Sequence, residues 1–322
     1  MSYQLTLPVC VTSVHQVTPE IKHFIIEALD GLPLPTFSGG SHVVVIMRDG
    51  AHVHKNPYSL MGDGHDSRQY EIAVRRENPS RGGSAFMFEK IKQGDTLELL
   101  QPANFFMLDT FARKHLLIAG GIGITALRSM IHDLKRAKAD YALHYCVRSG
   151  QNAAFWEAIS QQSGARAHLH AGENRLDIPA LLRLQPSGTH VYVCGPHSMV
   201  KAVNDACAAL GWSASHIHHE EFTHASGGAP FDVTLARSGR HIHVEHNQSM
   251  LEALEAAGLE PRYMCRGGVC GACETAVIEG QIEHRDHFMT TQEKAGMQKM
   301  MICVSRAATA TATATANIVI DL

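Results

Sequence analysis

The chain has 322 residues, 45% of them hydrophobic and 18% charged, with a formal net charge of −3 at pH 7. That length exceeds what one hydrophobic core usually serves, so two or three domains are expected. The composition excludes a disordered chain, the small net charge excludes a broad nucleic-acid or anionic-membrane surface, and the longest apolar runs, such as VVVIM at 43–47, are too short to cross a bilayer.

The first residues, MSYQLTLPVC, show neither a basic n-region nor an apolar h-region. No signal peptide is therefore expected, and the chain reads as cytoplasmic. Residues 1–107 carry short β-type runs (YQLTLPVCVTSV, KHFIIEAL, SHVVVIM, YEIAVRR, TLELL) between Gly, Pro and Asp turns. Short strands at regular spacing predict a small antiparallel β-barrel. Two places in this segment suit a flavin. Pro57-Tyr58-Ser59-Leu60 sets an aromatic ring beside a hydroxyl, for stacking and a hydrogen bond. Arg81-Gly82-Gly83-Ser84 sets a Gly-Gly-Ser turn beside a cation, as a phosphate requires.

Residues 108–224 alternate strand and helix: LLIAG into TALRSMIHDLKRA, ALHYCVR into AAFWEAISQQ, AHLHAG into IPALLRL, and VYVCG into PHSMVKAVNDACAAL, closing on IHHEEF. That alternation predicts a doubly wound parallel sheet, with ligands at the carboxyl ends of its strands. After the first strand, Gly120-Gly121-Ile122-Gly123-Ile124-Thr125 opens a helix, the place where a dinucleotide pyrophosphate sits. Cys194-Gly195-Pro196 makes a second such turn, and two turns at one sheet edge predict a nicotinamide nucleotide cleft.

A linker, THASGGAP at 223–230, precedes the third module, 230–322. FDVTLA, a turn at RSGR and HIHVEH read as a hairpin. SMLEALEAAG reads as a helix whose Ser249 and Glu252 have capping-box spacing. Four of the eight cysteines, Cys10, Cys146, Cys194 and Cys207, are scattered. The other four form Cys265-x4-Cys270-x2-Cys273, with Cys303 after twenty-nine further residues, which is the ligand spacing of a plant-type [2Fe–2S] cluster. A zinc ribbon needs paired C-x2-C hooks, and only one is present. Small residues between the ligands, Gly267, Gly268, Gly271 and Ala272, let backbone N–H groups approach the sulfurs. A nicotinamide delivers two electrons together and the cluster takes one at a time, so a flavin is expected between them.

These residues resemble the phthalate dioxygenase reductase family, the FMN-containing reductases of Rieske-type oxygenases, over essentially the whole chain and in the family's module order. The resemblance implies a flavin barrel, a nucleotide domain and a C-terminal β-grasp ferredoxin domain, with NADH, FMN and the cluster as cofactors and a Rieske-type oxygenase as partner. It implies that Tyr58 and Ser59 bind the FMN ring, that Ala73, Val74 and Arg75 line it, and that Gly82, Gly83 and Ser84 hold its phosphate. Gly121, Gly123 and Thr125, with Cys194, Gly195 and Pro196, match the NADH cleft. Arg148 and Ser149 fall on its ribose side. Glu221 and Phe222 match the end of the nucleotide domain, where an aromatic ring approaches the flavin. The sequence departs from the family at Asn56, where Arg is usual, and at Ala126, where Pro is usual. Asn56 points toward the subgroup that resembles carnitine and related quaternary-amine monooxygenase reductases.

The remaining features have plainer readings. His216, His218 and His219, and His241, His243 and His246, read as solvent-facing strand residues rather than metal ligands. Phe155 and Trp156 read as helix–sheet core. Cys194 reads as a packing residue rather than a reactive thiol. AATATATATA at 307–316 reads as a surface loop. Glu173, with no basic cluster after ALHYCVR, favours NADH over NADPH. Rival readings are a reductase for a cytochrome P450 or another acceptor, and a non-catalytic electron carrier.

Overall fold

The computed structural model describes residues 5–50, 52–66, 68–78, 80, 82–222, 227–308 and 316–322. The chain divides into two compact units, residues 1–222 and 223–322. The first contains an antiparallel sheet followed by a parallel one.

The antiparallel sheet is built from β1 (Thr6–Thr18), β2 (Ile21–Ala28), β3 (His42–Asp49), β4 (His52–Ser59), β5 (Tyr70–Arg75) and β6 (Thr96–Leu100), in the order β4-β3-β6-β1-β2-β5. Alternate residues point inward, as the period of a strand requires. Val9 and Val11, Phe24 and Ile26, Val43, Val45 and Met47, Ile72 and Val74, and Leu97 and Leu99 meet in one core. Register shifts in β1 after Val11 and Gln16 bend that long strand and help curl the sheet. Just beyond β4, the Met61 N–H donates to the Glu71 carbonyl at 2.9 Å, joining the two edges of the curled sheet. The segment also holds a helix that strand periodicity did not announce, α1 (Gly83–Glu89), so Gly83 and Ser84 form its first turn.

The parallel sheet comprises β7 (Lys114–Gly120), β8 (Tyr141–Val147), β9 (Ala167–Ala171), β10 (Thr189–Cys194) and β11 (Ile217–Glu220), ordered β11-β10-β7-β8-β9. Chain order reverses between β7 and β10. Helices α2 (Ile124–Arg136) and α3 (Trp156–Ser163) cover one face, and α4 (Ile178–Arg183) and α5 (His197–Ala209) cover the other. Ile124, Leu127, Ile131 and Leu134 form the buried stripe of α2, and Lys135 and Arg136 sit at its C-terminal end, where cations suit the helix dipole. Helix α2 also packs on the antiparallel sheet's connection. The Gly39 N–H donates to Asp133 Oδ2 at 2.6 Å, Gly40 N–H to Ser129 Oγ at 3.1 Å, and Arg136 to Asp63 at 2.5 and 2.6 Å.

The second unit is a β-grasp. Strands β12 (Phe231–Leu235), β13 (His241–Val244), β14 (Glu274–Glu279), β16 (Lys299–Met301) and β18 (Ala316–Ile320) form a sheet ordered β13-β12-β18-β14-β16, with β12 and β18 parallel. A small pair, β15 (Ile282–Glu283) and β17 (Arg306–Ala307), stands apart. Helix α6 (Met250–Ala256) packs its Met250, Leu251 and Leu254 into the sheet's core. The capping box forms as the spacing predicts: Ser249 Oγ accepts from Glu252 N at 3.2 Å, and Glu252 Oε2 accepts from Ser249 N at 2.8 Å. Thr290 and Glu293 repeat the device at α7 (Thr291–Ala295). Most of the Thr/Ala stretch, 309–315, lies outside the described residues.

Candidate functional site

The two glycine turns meet at the point where the parallel sheet reverses. β7 and β10 pair in register, with Ala119 opposite Cys194, so both strands deliver their loops to the same edge. A Cβ on Gly123 would lie 2.1 Å from the Cys194 carbonyl oxygen, and one on Gly120 would lie 2.7 Å from Pro196. Backbone therefore packs on backbone here, and bulkier residues are excluded by space. Gly121 has φ 55 with open space in front of it. Thr125 is buried and its hydroxyl donates to the Ile122 carbonyl at 2.9 Å, closing the turn. Cys194 is fully buried, and burial pushes its thiol well up, which fits packing and not reactivity.

On the flavin side, Tyr58 and Ser59 end β4, Ala73, Val74 and Arg75 end β5, and Gly82, Gly83 and Ser84 open α1. Asn56 ties the first and last of these together. Its amide donates toward the Tyr58 hydroxyl at 3.5 Å, and a Cβ on Gly83 would fall 2.6 Å from it. The residue that departs from the family pattern thus sits between Tyr58 and the Gly82-Gly83 turn. Gly82 has φ 110, and a Cβ there would strike the His54 ring at 2.4 Å. Ser84 Oγ accepts from Glu77 N at 3.3 Å and contacts Ser80 Oγ at 3.2 Å. Val74 points into the core, so only its backbone can face a ligand. Arg81 lies outside the described residues.

Ser59 Oγ is buried without a hydrogen-bond partner among the described residues. Such a group costs free energy unless a ligand or water satisfies it, so the site fits a flavin ring. Its cross-strand partner, His42, is buried with both ring nitrogens unpartnered, and burial lowers its pKa to about 4. His42 sits inside the apolar run SHVVVIM and gave no signal in the sequence.

A cleft of about 1030 Å³ opens between the two sheets of the first unit. Thr18, Glu20 and residues 75–78 line it from the antiparallel sheet, and residues 120–122, 146–148, Asn152 and Pro196 line it from the parallel one. Arg75 and Arg148 therefore face one space. Ser149 is not part of this lining and instead accepts from Asn152 N at 3.0 Å. The lining includes His170 of β9 and, beyond that strand, Asn174 and Arg175 but not Glu173, so the carboxylate invoked for nucleotide preference stands aside and a cation two residues on lines the cleft. Glu221 Oε2 accepts from His197 at 3.0 Å. Phe222 ends the unit, 42% exposed and outside the cleft lining.

In the second unit the four cysteines gather as two pairs: the Cys265 and Cys270 thiols are in hydrogen-bonding contact, and so are those of Cys273 and Cys303. Two pairs are the donor division a two-iron cluster needs, whereas one zinc ion needs four donors around a point. Gly267 N–H points at Cys265 Sγ at 3.4 Å, and Cys265 N–H at Cys270 Sγ at 3.5 Å. Arg266 takes φ 54, and Glu255 of α6 holds its guanidinium through two bonds of 3.0 and 2.7 Å. That ion pair fixes the left-handed turn between the first two ligands, and the ligand spacing alone did not reveal it. Gly268 and Gly271 have φ 75, and their Cβ positions would strike Val304 and Phe288.

Other sequence expectations are corrected here. His216 and His218 are half-buried rather than fully solvent-facing. His216 stacks on His190 at 4.3 Å, and His218 stacks on Tyr192 at 4.4 Å. His241 and His243 are exposed, and His243 pairs with Asp232 at 2.7 Å. Phe155 is more than helix–sheet core, since its ring also packs against the antiparallel sheet. Among the described residues no three His, Cys, Asp or Glu side chains converge on a single-ion geometry, and no helix is long and apolar enough to cross a membrane.

A buried unpartnered hydroxyl beside an aromatic ring, a pair of glycine turns at a sheet reversal and a two-iron ligand set define a modular electron-transfer reductase. Comparison with known proteins agrees. Residues 233–308 match the family model of the 2Fe-2S iron-sulfur cluster binding domain, and residues 103–217 match that of the dimethylamine monooxygenase subunit DmmA-like N-terminal domain. The chain is 45% identical to the heme-dependent oxidative N-demethylase beta subunit of Ectopseudomonas mendocina (strain ymp), over 93% of this chain and 96% of that one. It is 43% identical to the carnitine monooxygenase reductase subunit of Escherichia coli (strain K12), over 95% and 96%. A solved phthalate dioxygenase reductase, described as a modular structure for electron transfer from pyridine nucleotides to [2Fe–2S], superposes with a TM-score of 0.83 at 31% identity, covering 98% of each chain.

The chain belongs to the phthalate dioxygenase reductase family. It is an oxidoreductase, the reductase component of an oxygenase system, and its cofactors are a flavin, a pyridine nucleotide and a [2Fe–2S] cluster.

Proposed function

We propose that the chain draws hydride from NADH at the cleft of the first unit and sends single electrons through the cysteine loop of the second to a Rieske-type oxygenase that acts on a methylated amine. The observation that carries this reading is the cleft, because β5 of the antiparallel sheet and both glycine turns of the parallel sheet open into it. The module bounds are 1–107 for flavin, 108–224 for nucleotide and 230–322 for the cluster. A reducing cytoplasm suits four unoxidised cysteines.

The residues act by holding and orienting. Tyr58 and Ser59 present a ring face and a buried oxygen to the flavin ring, and burial keeps the Tyr58 hydroxyl protonated. The backbone of Ala73 and Val74 lines the ring, and Arg75 is oriented by Glu77 at 2.9 Å. Gly82, Gly83 and Ser84 offer backbone room and a hydroxyl to the phosphate. Gly121, Gly123 and Thr125, with Cys194, Gly195 and Pro196, bring the nucleotide close to backbone N–H groups, and Arg148 meets its ribose side. Phe222 approaches the flavin from the end of the nucleotide module. FMN, when bound, takes two electrons together and releases them singly. No side chain here needs to act as general acid or base. Cys265, Cys270, Cys273 and Cys303 hold the cluster that passes the electrons on.

The methylated-amine class rests on the carnitine monooxygenase relative and on Asn56. A second reading, a heme-bearing acceptor, rests on the printed name of the 45% identical relative. The test mixes the FMN- and cluster-loaded protein with NADH and, in turn, cytochrome c, a carnitine-type Rieske oxygenase and a heme-dependent N-demethylase catalytic subunit. Faster reduction of the Rieske protein is expected. Faster reduction of the heme protein selects the second reading, and failure to reduce cytochrome c with NADH rejects both.

A further inference from the structure

Phe155 lies at φ 62, ψ 8 just before α3, a left-handed conformation that bulky residues rarely adopt. No glycine relieves it, so the surroundings of the ring must hold it. His23 of β2 meets the ring edge-on at 5.4 Å and 83°. The Arg128 guanidinium of α2 lies 4.9 Å from its centroid. Glu71 of β5 closes the collar, its Oε2 3.0 Å from His23 Nε2 and 3.5 Å from Arg128 Nη1. Beneath the ring lie Ala73 of β5 and Ile122 of the nucleotide turn. The ring is thus a wedge from the parallel sheet's layer, gripped by the antiparallel sheet. Its backbone continues the loop 148–152: Ala154 N–H donates to Asn152 at 3.0 Å, and Trp156 N–H to Ala153 at 3.2 Å. Arg148 and Asn152 of that loop line the cleft.

We infer that Phe155 is a positioning residue: gripped by His23, Arg128 and Glu71, it sets Arg148 and Asn152 over the nucleotide, so residues of the flavin-side sheet tune affinity for NADH. The inference rests on the reading that NADH occupies this cleft. Removing the ring frees the loop and takes one contact from Ile122, but leaves the backbone contacts of Gly120 and Gly123 with Pro196 and Cys194 in place. Removing the Glu71 charge loosens the collar and leaves the ring in place.

The test uses the FMN- and cluster-loaded protein, with tetrahydro-NADH as a non-reducing probe measured by calorimetry. NADH KM and kcat with ferricyanide, FMN content and Tm are measured alongside. Phe155→Ala and Phe155→Gly are expected to weaken probe binding about tenfold or more and to raise KM in proportion, with kcat within about twofold and FMN retained. Phe155→Gly should melt no lower than Phe155→Ala, because glycine adopts this φ freely. Glu71→Gln is expected to weaken binding about threefold, and Phe155→Tyr to restore it. Lowered Tm with unchanged probe affinity in Phe155→Ala and Glu71→Gln overturns the inference. If the Phe155 variants do not fold, Glu71→Gln alone decides. A wild-type protein that binds no probe overturns the functional reading instead.

Discussion

Gly123 and Cys194 touch across the reversal of the parallel sheet, where a Cβ on the glycine would sit 2.1 Å from the cysteine carbonyl oxygen. The backbone conformation of Gly123, φ −60, suits any residue, so space alone demands glycine there. Gly123→Ala must therefore push the two turns apart. Stability is expected to fall by about 1–3 kcal/mol and KM for NADH to rise about tenfold or more. Gly121→Ala meets open space and carries only the left-handed backbone penalty, about 1 kcal/mol, with a smaller kinetic effect. Thermal unfolding and ferricyanide kinetics on both variants check the contrast, and equal effects would contradict it.

Cys303 closes the cluster site from outside the loop, paired with Cys273. Cys303→Ser replaces a soft thiolate by a hydroxyl, so the visible and paramagnetic signals of the cluster should be lost or severely changed. The flavin-side cleft lies in the other unit, so NADH-driven ferricyanide reduction should survive while cytochrome c reduction falls by about tenfold or more. Optical and EPR spectra with both acceptors test this. Loss of both activities together would show that the units do not act separately.

Arg306 is buried, and among the described residues no carboxylate pairs with its guanidinium. It donates to the carbonyls of Gln248 at 2.6 Å and of Ala229 and Glu245 at 3.0 Å each, with Phe231 stacked at 4.8 Å. It stitches the entry to β12, the exit from β13 and the start of α6 to the strand that follows Cys303. Arg306→Met takes the guanidinium from the Gln248 and Ala229 carbonyls, while Glu245 keeps the Gln248 N–H at 3.2 Å, and should cost about 2–5 kcal/mol in the second unit. Arg306→Lys should rescue little, because an ammonium cannot span three acceptors in a plane. Denaturant unfolding, followed by cluster absorbance, measures both.

Acid should loosen the parallel sheet. His144, stacked against His168 and His170, and His218, beside His190, both have pKa values lowered to about 4, first by burial and then by their histidine neighbours. The folded chain keeps them neutral, while in the unfolded chain they take up protons once pH drops below about 6.5. Stability is therefore full above pH 6.5 and declines as pH falls toward 4. Partial solvent screening reduces the effect to about 1–2 kcal/mol for each residue. Urea midpoints between pH 7.5 and 4.5 should fall, and the slope should lessen in a His144→Asn, His218→Asn double variant. A double variant with the wild-type slope would assign the loss to other groups.

The cysteine spacing, the strand–helix alternation and the capping box at Ser249 were legible because each is local. A four-residue gap, a change of period or a reciprocal side-chain bond is complete within a few positions of chain. The inward residues of β1, β2 and β3 followed from period two for the same reason. Helix α1 was not legible: it is seven residues long and opens on two glycines, so propensity argues against it, and contacts with His54 and Asn56 of β4 hold its start.

The sequence by itself determined that this protein has three modules, a two-iron ligand set and two glycine turns, since those depend on residue type and spacing. Only the tertiary structure decided that Gly123 must be glycine for space, that Asn56 lies between Tyr58 and Gly83, that Arg175 and not Glu173 faces the cleft, and that Phe155 is gripped by His23, Arg128 and Glu71. Each is a contact between residues far apart in the chain. Which side chains meet across strands and helices is fixed by packing and register, and neither leaves a trace in local composition.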